Sequence, residues 1–176
     1  MRERYAAAVE LAEMYQGDNG LWQTAVWPGR ADVLLSALDP DRPFVLIETW
    51  DGNSDWHQAT VSVGPQDQPR LRLVRHHRFD LLVTPAEAIE IGRHLHAQGV
   101  GGGGLGCYQF RQRPRAAFRL PDYSRPRARA DAMRGQGVDL AIDLPHDGEV
   151  AVVWSPNKTA VIEYVQRLAQ RDNVLI

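Results

Sequence analysis

The chain has 176 residues, the size of one ordinary domain, and 44% of them are hydrophobic against 24% charged. That balance excludes a collagen-like or wholly disordered polymer and leaves enough apolar surface for a core. Twenty basic and 22 acidic side chains give a net charge of −2, and a single cysteine, Cys107, excludes an internal disulfide framework and a cysteine-rich zinc centre.

No apolar stretch reaches the roughly 18 residues that a spanning helix needs. The opening Met-Arg-Glu-Arg-Tyr lacks the unbroken apolar core of a signal peptide. The sequence therefore reads as a soluble cytoplasmic protein without a membrane partner. In chain order, residues 3–15 read as a helix, with Tyr5, Val9, Ala12 and Tyr15 at helical spacing and Gly17 to Gly20 ending it. Leu21–Trp27 reads as a short strand, and Ala31–Leu38 as a brief helix stopped by Asp39-Pro40. Phe44–Ile47 is a continuous run of strand formers, expected as a central strand buried on both faces. Asp51-Gly52 signals a hairpin, and residues 59–63 alternate as a half-exposed strand. Gly64–Pro69 then turns the chain into a third strand, where Leu71 and Leu73 alternate with Arg70 and Arg72. These pieces predict an antiparallel meander.

Thr84-Pro85-Ala86-Glu87 spells a helix start: a capping threonine, proline at the first helical position and a glutamate closing the capping box. Ala88, Ile91, Gly92 and Leu95 form its inward stripe, and Gly99 stops it. Six glycines between 99 and 106 mark a boundary, and residues 107–134 are expected to be irregular, with Pro114, Pro121 and Pro126 barring a long helix. Val138, Leu140, Ile142 and Leu144 alternate with polar residues, and Val150–Trp154 is continuously apolar. Ser155-Pro156 opens a last helix that buries Ala160, Val161, Tyr164, Val165 and Leu168, with Glu163 and Arg167 placed as an i,i+4 ion pair. The fold class is α+β, a mixed, largely antiparallel sheet with about four helices packed on it. Its parts are an N-terminal α/β meander unit (1–98), a Gly/Arg-rich connecting segment (99–136) and a C-terminal ββα unit (137–176) packing onto the same domain.

Catalytic patterns fail one by one. Residues 99–104 match G-x-G-x-x-G, but a dinucleotide site needs a strand before the glycines and a helix after them, the reverse of this order. The Asp51–Asp55 stretch resembles the front of a calcium loop, yet Trp56 and Ser62 stand where glycine and glutamate are required. His76 and His77 are adjacent, so an extended strand points them to opposite faces. His94 and His96 lie about 160° apart around a helix, again on different faces. A site built from His77, Asp80 and His94 would have to be assembled by the fold, and no metal or cofactor is expected. Asp139 and Asp143 fall about 13 Å apart along one strand face and read as solvated. Cys107 reads as a small packed residue. Lys158 behind Ser155-Pro156-Asn157 is a weak anion site at a helix start. No catalytic constellation survives, and the reading leans away from an enzyme.

Charge is the remaining signal. Residues 1–60 carry four arginines against ten acids, residues 61–135 thirteen against six, and residues 136–176 three basic groups against six acids. The local balances are −6, +7 and −3. Within 107–136 lie eight arginines opposed only by Asp122 and Asp131, with Tyr108, Phe110, Phe118 and Tyr123 between them. Arginine makes bidentate contacts with phosphate, and aromatic rings stack on unpaired bases. The leading expectation is a non-enzymatic nucleic-acid-associated protein. In it Arg111, Arg113, Arg115, Arg125, Arg127 and Arg129 hold phosphate, Tyr108 or Phe110 stack, and Arg70 and Arg72 add a basic strand face. One alternative is a protein-interaction module of inhibitor or immunity type, anchored by Trp50, Asp51, Asp55 and Trp56, since tryptophan is a frequent interface anchor. The other is an enzyme whose His/Asp site is assembled by the fold.

Overall fold

The computed structural model describes residues 15–17, 19–26, 30–49, 71–75, 78–97, 104–115, 120, 125–144 and 150–170. The described residues form eight strands: β1 (Tyr15–Gln16), β2 (Trp22–Val26), β3 (Phe44–Thr49), β4 (Leu71–Arg75), β5 (Arg78–Val83), β6 (Leu105–Phe110), β7 (Leu140–Leu144) and β8 (Ala151–Ser155). They form one open sheet in the order β1-β2-β8-β7-β6-β3-β5-β4, and every described pairing is antiparallel. The described residues also form four helices: α1 (Ala31–Ser36), α2 (Pro85–Ala97), α3 (Pro126–Gly135) and α4 (Lys158–Ala169). The α+β expectation holds. No helix among the described residues is long and apolar enough to cross a membrane.

Both faces of the sheet's centre are covered, in keeping with the continuous apolar run Phe44–Ile47 of β3. On one face Val45, Ile47, Leu105, Cys107, Ile142 and Val153 pack against Leu34 and Leu35 of α1, Ile91 of α2 and Val161, Tyr164 and Leu168 of α4. Tyr164 Oη donates to Leu34 O at 2.8 Å and Arg167 Nε to Ala37 O at 2.8 Å, tying α4 to the α1 turn. On the other face Leu46, Tyr108, Phe110 and Ala141 meet Ala130 and Met133 of α3, with Leu21, Leu120 and Val138 around them.

Local signals set α2 and α4. Thr84 Oγ1 accepts from Glu87 N at 3.3 Å while Glu87 Oε2 accepts from Thr84 N at 2.9 Å, the reciprocal capping box expected from the sequence. The five residues expected to face inward from α4 are all buried. Its cap is Asn157, which accepts from Thr159 N at 3.0 Å. Ser155 is instead the last residue of β8, where its hydroxyl donates to Asp139 O at 2.6 Å. Glu163 faces Arg42 at 3.8 Å, so the expected partner of Arg167 is engaged elsewhere.

The largest departure lies in 107–134. In place of irregular chain, β6 runs through the middle of the sheet, paired to β3 on one side and β7 on the other. Pro126 begins α3, where its missing N–H costs nothing. The glycine run leads directly into β6, with Gly104 at φ 77° making the turn and Gly106 inside the strand. The expected meander is also rearranged: β3 neighbours β5, and β5, a strand the sequence pattern did not reveal, separates it from β4. Tyr15, expected to end a helix, pairs with Gln23 in β1. The remainder of that helix, the Asp51-Gly52 hairpin, the strand at 59–63, the turn at 64–69 and the Gly99 stop lie outside the described residues.

Candidate nucleic-acid interface

The arginines of the central segment separate into two groups. Arg129 is 8% exposed, and its Nη2 donates to Tyr108 Oη at 3.0 Å and lies 3.5 Å from Asp143 Oδ1. Tyr108 and Phe110 are each 1% exposed, in the core beneath α3. This corrects the expected interface. Neither ring is open to a base and Arg129 is not open to phosphate, because β6 is an interior strand and α3 closes over it.

Arg113, Arg115, Arg125 and Arg127 are exposed, the first two just beyond β6 and the others at the start of α3. None of the four pairs with a carboxylate among the described residues. Their neighbours are neutralised: Arg111 Nε lies 3.6 Å from Asp139 Oδ1, and Arg134 Nη1 lies 3.2 Å from Asp131 Oδ1. The same holds farther off for Arg30 with Asp32 at 2.7 Å and Arg93 with Glu90 at 2.6 Å. Arg42, 2% exposed, is held by Asp39, with Asp139 at 3.9 Å and Glu163 at 3.8 Å. The hydrogen bonds that Arg30 donates to Asp32 hold its guanidinium above its ordinary pKa, against the opposing pull of partial burial. These four exposed guanidinium groups thus carry charge with no counterion among the described residues.

No family model, curated protein or solved structure matches this chain. The reading of the site therefore rests on its own residues.

Beneath α3 the sheet register creates a polar row that the sequence did not suggest. Glu48 of β3 is opposite Gly106 of β6, which is opposite Asp143 of β7. Glu48 is 1% exposed and Asp143 6%, so Asp143 is not the solvated aspartate expected from alternation. Tyr108 Oη donates to Glu48 Oε2 at 3.1 Å and accepts from Arg129. A Cβ on Gly106 would fall 2.9 Å from Tyr108 Oη, so the glycine makes the space the phenol fills. The one available signal was Glu48 itself, a charge inside an otherwise apolar strand. Burying charge is expensive unless it is paired and hydrogen-bonded. Here Tyr108 supplies Glu48 with a hydrogen bond and Arg129 pairs with Asp143, and these contacts link α3 to the sheet.

The other expected residues do not gather. Arg70 lies outside the described residues. Arg72 sits where the β4 register shifts between Leu71 and Leu73, a bulge at which strict alternation stops. Trp50, Asp51, Asp55, Trp56, His76 and His77 lie outside the described residues. The backbone of Asp80 pairs with Glu48 in β5. His94 is partly buried, and the exposed His96 Nε2 accepts from Arg30 Nη2 at 3.2 Å. No group of three or more His, Cys, Asp or Glu among the described residues is arranged to hold a metal ion. At the start of α4, Lys158 Nζ sits 4.8 Å from the centroid of the Trp22 ring, and Thr159 N is already taken by the Asn157 cap.

Proposed function

We propose that this is a non-enzymatic, nucleic-acid-associated protein that contacts phosphate through Arg113, Arg115, Arg125 and Arg127. One observation carries the reading: these four exposed guanidinium groups lack a carboxylate partner among the described residues, whereas Arg30, Arg42, Arg93, Arg111, Arg129 and Arg134 all have one. A guanidinium already paired gains little from phosphate, while a free one releases counterions from the polymer. Tyr108, Phe110 and Arg129 drop out of the contact set because they are buried.

Four phosphate contacts give a salt slope of about −3.6 in log affinity, or roughly a hundredfold loss between 50 and 200 mM salt. The test is fluorescence anisotropy on labelled 30-mers, comparing the parent with R113A/R115A/R125A/R127A after both are shown to melt alike. Loss of binding in the variant, with the parent showing the steep salt dependence, supports the reading. Absence of binding at 20 mM salt, or equal binding by the variant, overturns it.

A further inference from the structure

Resting on the reading above, we infer that Asp139 limits affinity: its carboxylate withholds Arg111 from the phosphates that Arg113 and Arg115 contact. These three arginines lie within five consecutive residues just past β6, all of them exposed, with Pro114 buried between the last two. Four peptide steps span at most about 14 Å, so a polyanion seated on Arg113 and Arg115 lies within reach of Arg111. The fold has nevertheless engaged that residue. Arg111 N donates to Asp139 Oδ2 at 3.0 Å, and Arg111 Nε stands 3.6 Å from Asp139 Oδ1. Backbone and side chain of one arginine thus meet both oxygens of one carboxylate.

Asp139 is anchored independently of Arg111. Its N–H donates to Gln109 O at 2.9 Å, and its carbonyl accepts from the Ser155 hydroxyl at 2.6 Å. Gln109 and Ser155 are both fully buried. Asp139 Oδ2 also faces Nε of the buried Arg42, but at 3.9 Å, and that Nε makes no hydrogen bond among the described residues. Arg42 is committed to Asp39 instead, which leaves Asp139 to Arg111. The withholding does not require a strong bond. An exposed ion pair is worth only about 0–1 kcal/mol. What matters is that the carboxylate cannot leave: Arg111 and Asp139 together bring no net charge to the polymer, so they displace no counterion from it.

Asp139→Asn keeps an oxygen for Arg111 N and removes the charge, while Arg42 retains Asp39, with Glu163 at 3.8 Å. The released Arg111 then counts as one further contact. The salt slope steepens by about 0.9, and the affinity lost between 50 and 200 mM salt grows about 3.5-fold. The experiment measures anisotropy of a labelled 30-base-pair duplex over that salt range with the full chain, D139N and R111A/D139N, each first shown to melt cooperatively. Steepening in D139N that R111A/D139N reverses is the expected result. Equal slopes in D139N and the parent overturn the inference while leaving the phosphate-contact reading in place. Steepening that R111A/D139N retains also overturns it, because the effect then belongs to repulsion by Asp139 and not to Arg111. R111A alone tests the point with Asp139 undisturbed: flattening of the parent's slope by the full value of about 0.9 for one contact shows Arg111 already on phosphate, and overturns the inference too. Absence of parent binding at 20 mM salt overturns the underlying reading with it.

Discussion

At the scale of single residues, two glycines behave oppositely. A Cβ on Gly106 would stand 2.9 Å from Tyr108 Oη and 3.3 Å from its Cζ, and the phenol cannot retreat without giving up Glu48 and Arg129. Gly135 closes α3 with nothing within 4 Å of the same position. Gly106→Ala should therefore cost about 1–3 kcal/mol, the usual range for overpacking a filled interior. Gly135→Ala should gain about 0.5–1 kcal/mol by narrowing the unfolded ensemble and improving helix propensity. Urea unfolding of both variants checks the pair, and equal shifts would show that Tyr108 is not fixed where it stands. Neither glycine announces its role in the sequence. Gly106 looks like the tail of a flexible run, and only the register between β3, β6 and β7 turns it into a gap between two carboxylates.

Elements divide by whether their cause is local. The start of α2 and the buried stripe of α4 were legible because capping and helical periodicity act within a few residues. Thr84→Ala should lower stability by about 1 kcal/mol, the ordinary worth of a helix cap, with thermal melting as the check. β6 and α3 were illegible because their causes are distant. Leu105–Phe110 is covered on both sides and shows no alternation, and its neighbours come from strands about 60 residues before and 30 residues after it. The candidate site suffers the same way. Tyr108 and Phe110 are interleaved with arginines, a pattern shared by a stacking surface and by a buried strand that leads into a basic turn. Arg129 is the element-scale consequence, the side chain that fixes α3 over the polar row. Arg129→Met leaves buried carboxylates without that cation and should cost about 3 kcal/mol. Amide exchange in α3 should rise more than in α4, and protection retained across both helices would show that apolar contacts alone hold α3.

For the whole molecule, the interior sets how stability responds to alkali. Burial pushes the Cys107 thiol far above its ordinary value, reinforced by the Asp143 carboxylate. Burial likewise raises Tyr164, with Cys107 adding to the shift and Arg167 pulling against it. The folded protein therefore keeps both protons where the unfolded chain releases them, from about pH 8.5 for the thiol and about pH 10 for the phenol. The unfolded state then binds fewer protons than the native state, so stability falls as pH rises. Below about pH 8 neither group contributes a slope. From about 8.5 to 10 the thiol alone should cost about 1.4 kcal/mol per pH unit, and above about 10 the phenol steepens the decline. Cys107→Ala removes the first limb and should leave stability level until about pH 10, at the expense of a small loss at neutral pH from the missing sulfur. Urea midpoints at half-unit intervals from pH 7 to 11 distinguish the two proteins. The same decline from pH 8.5 in the alanine variant would place its origin outside Cys107.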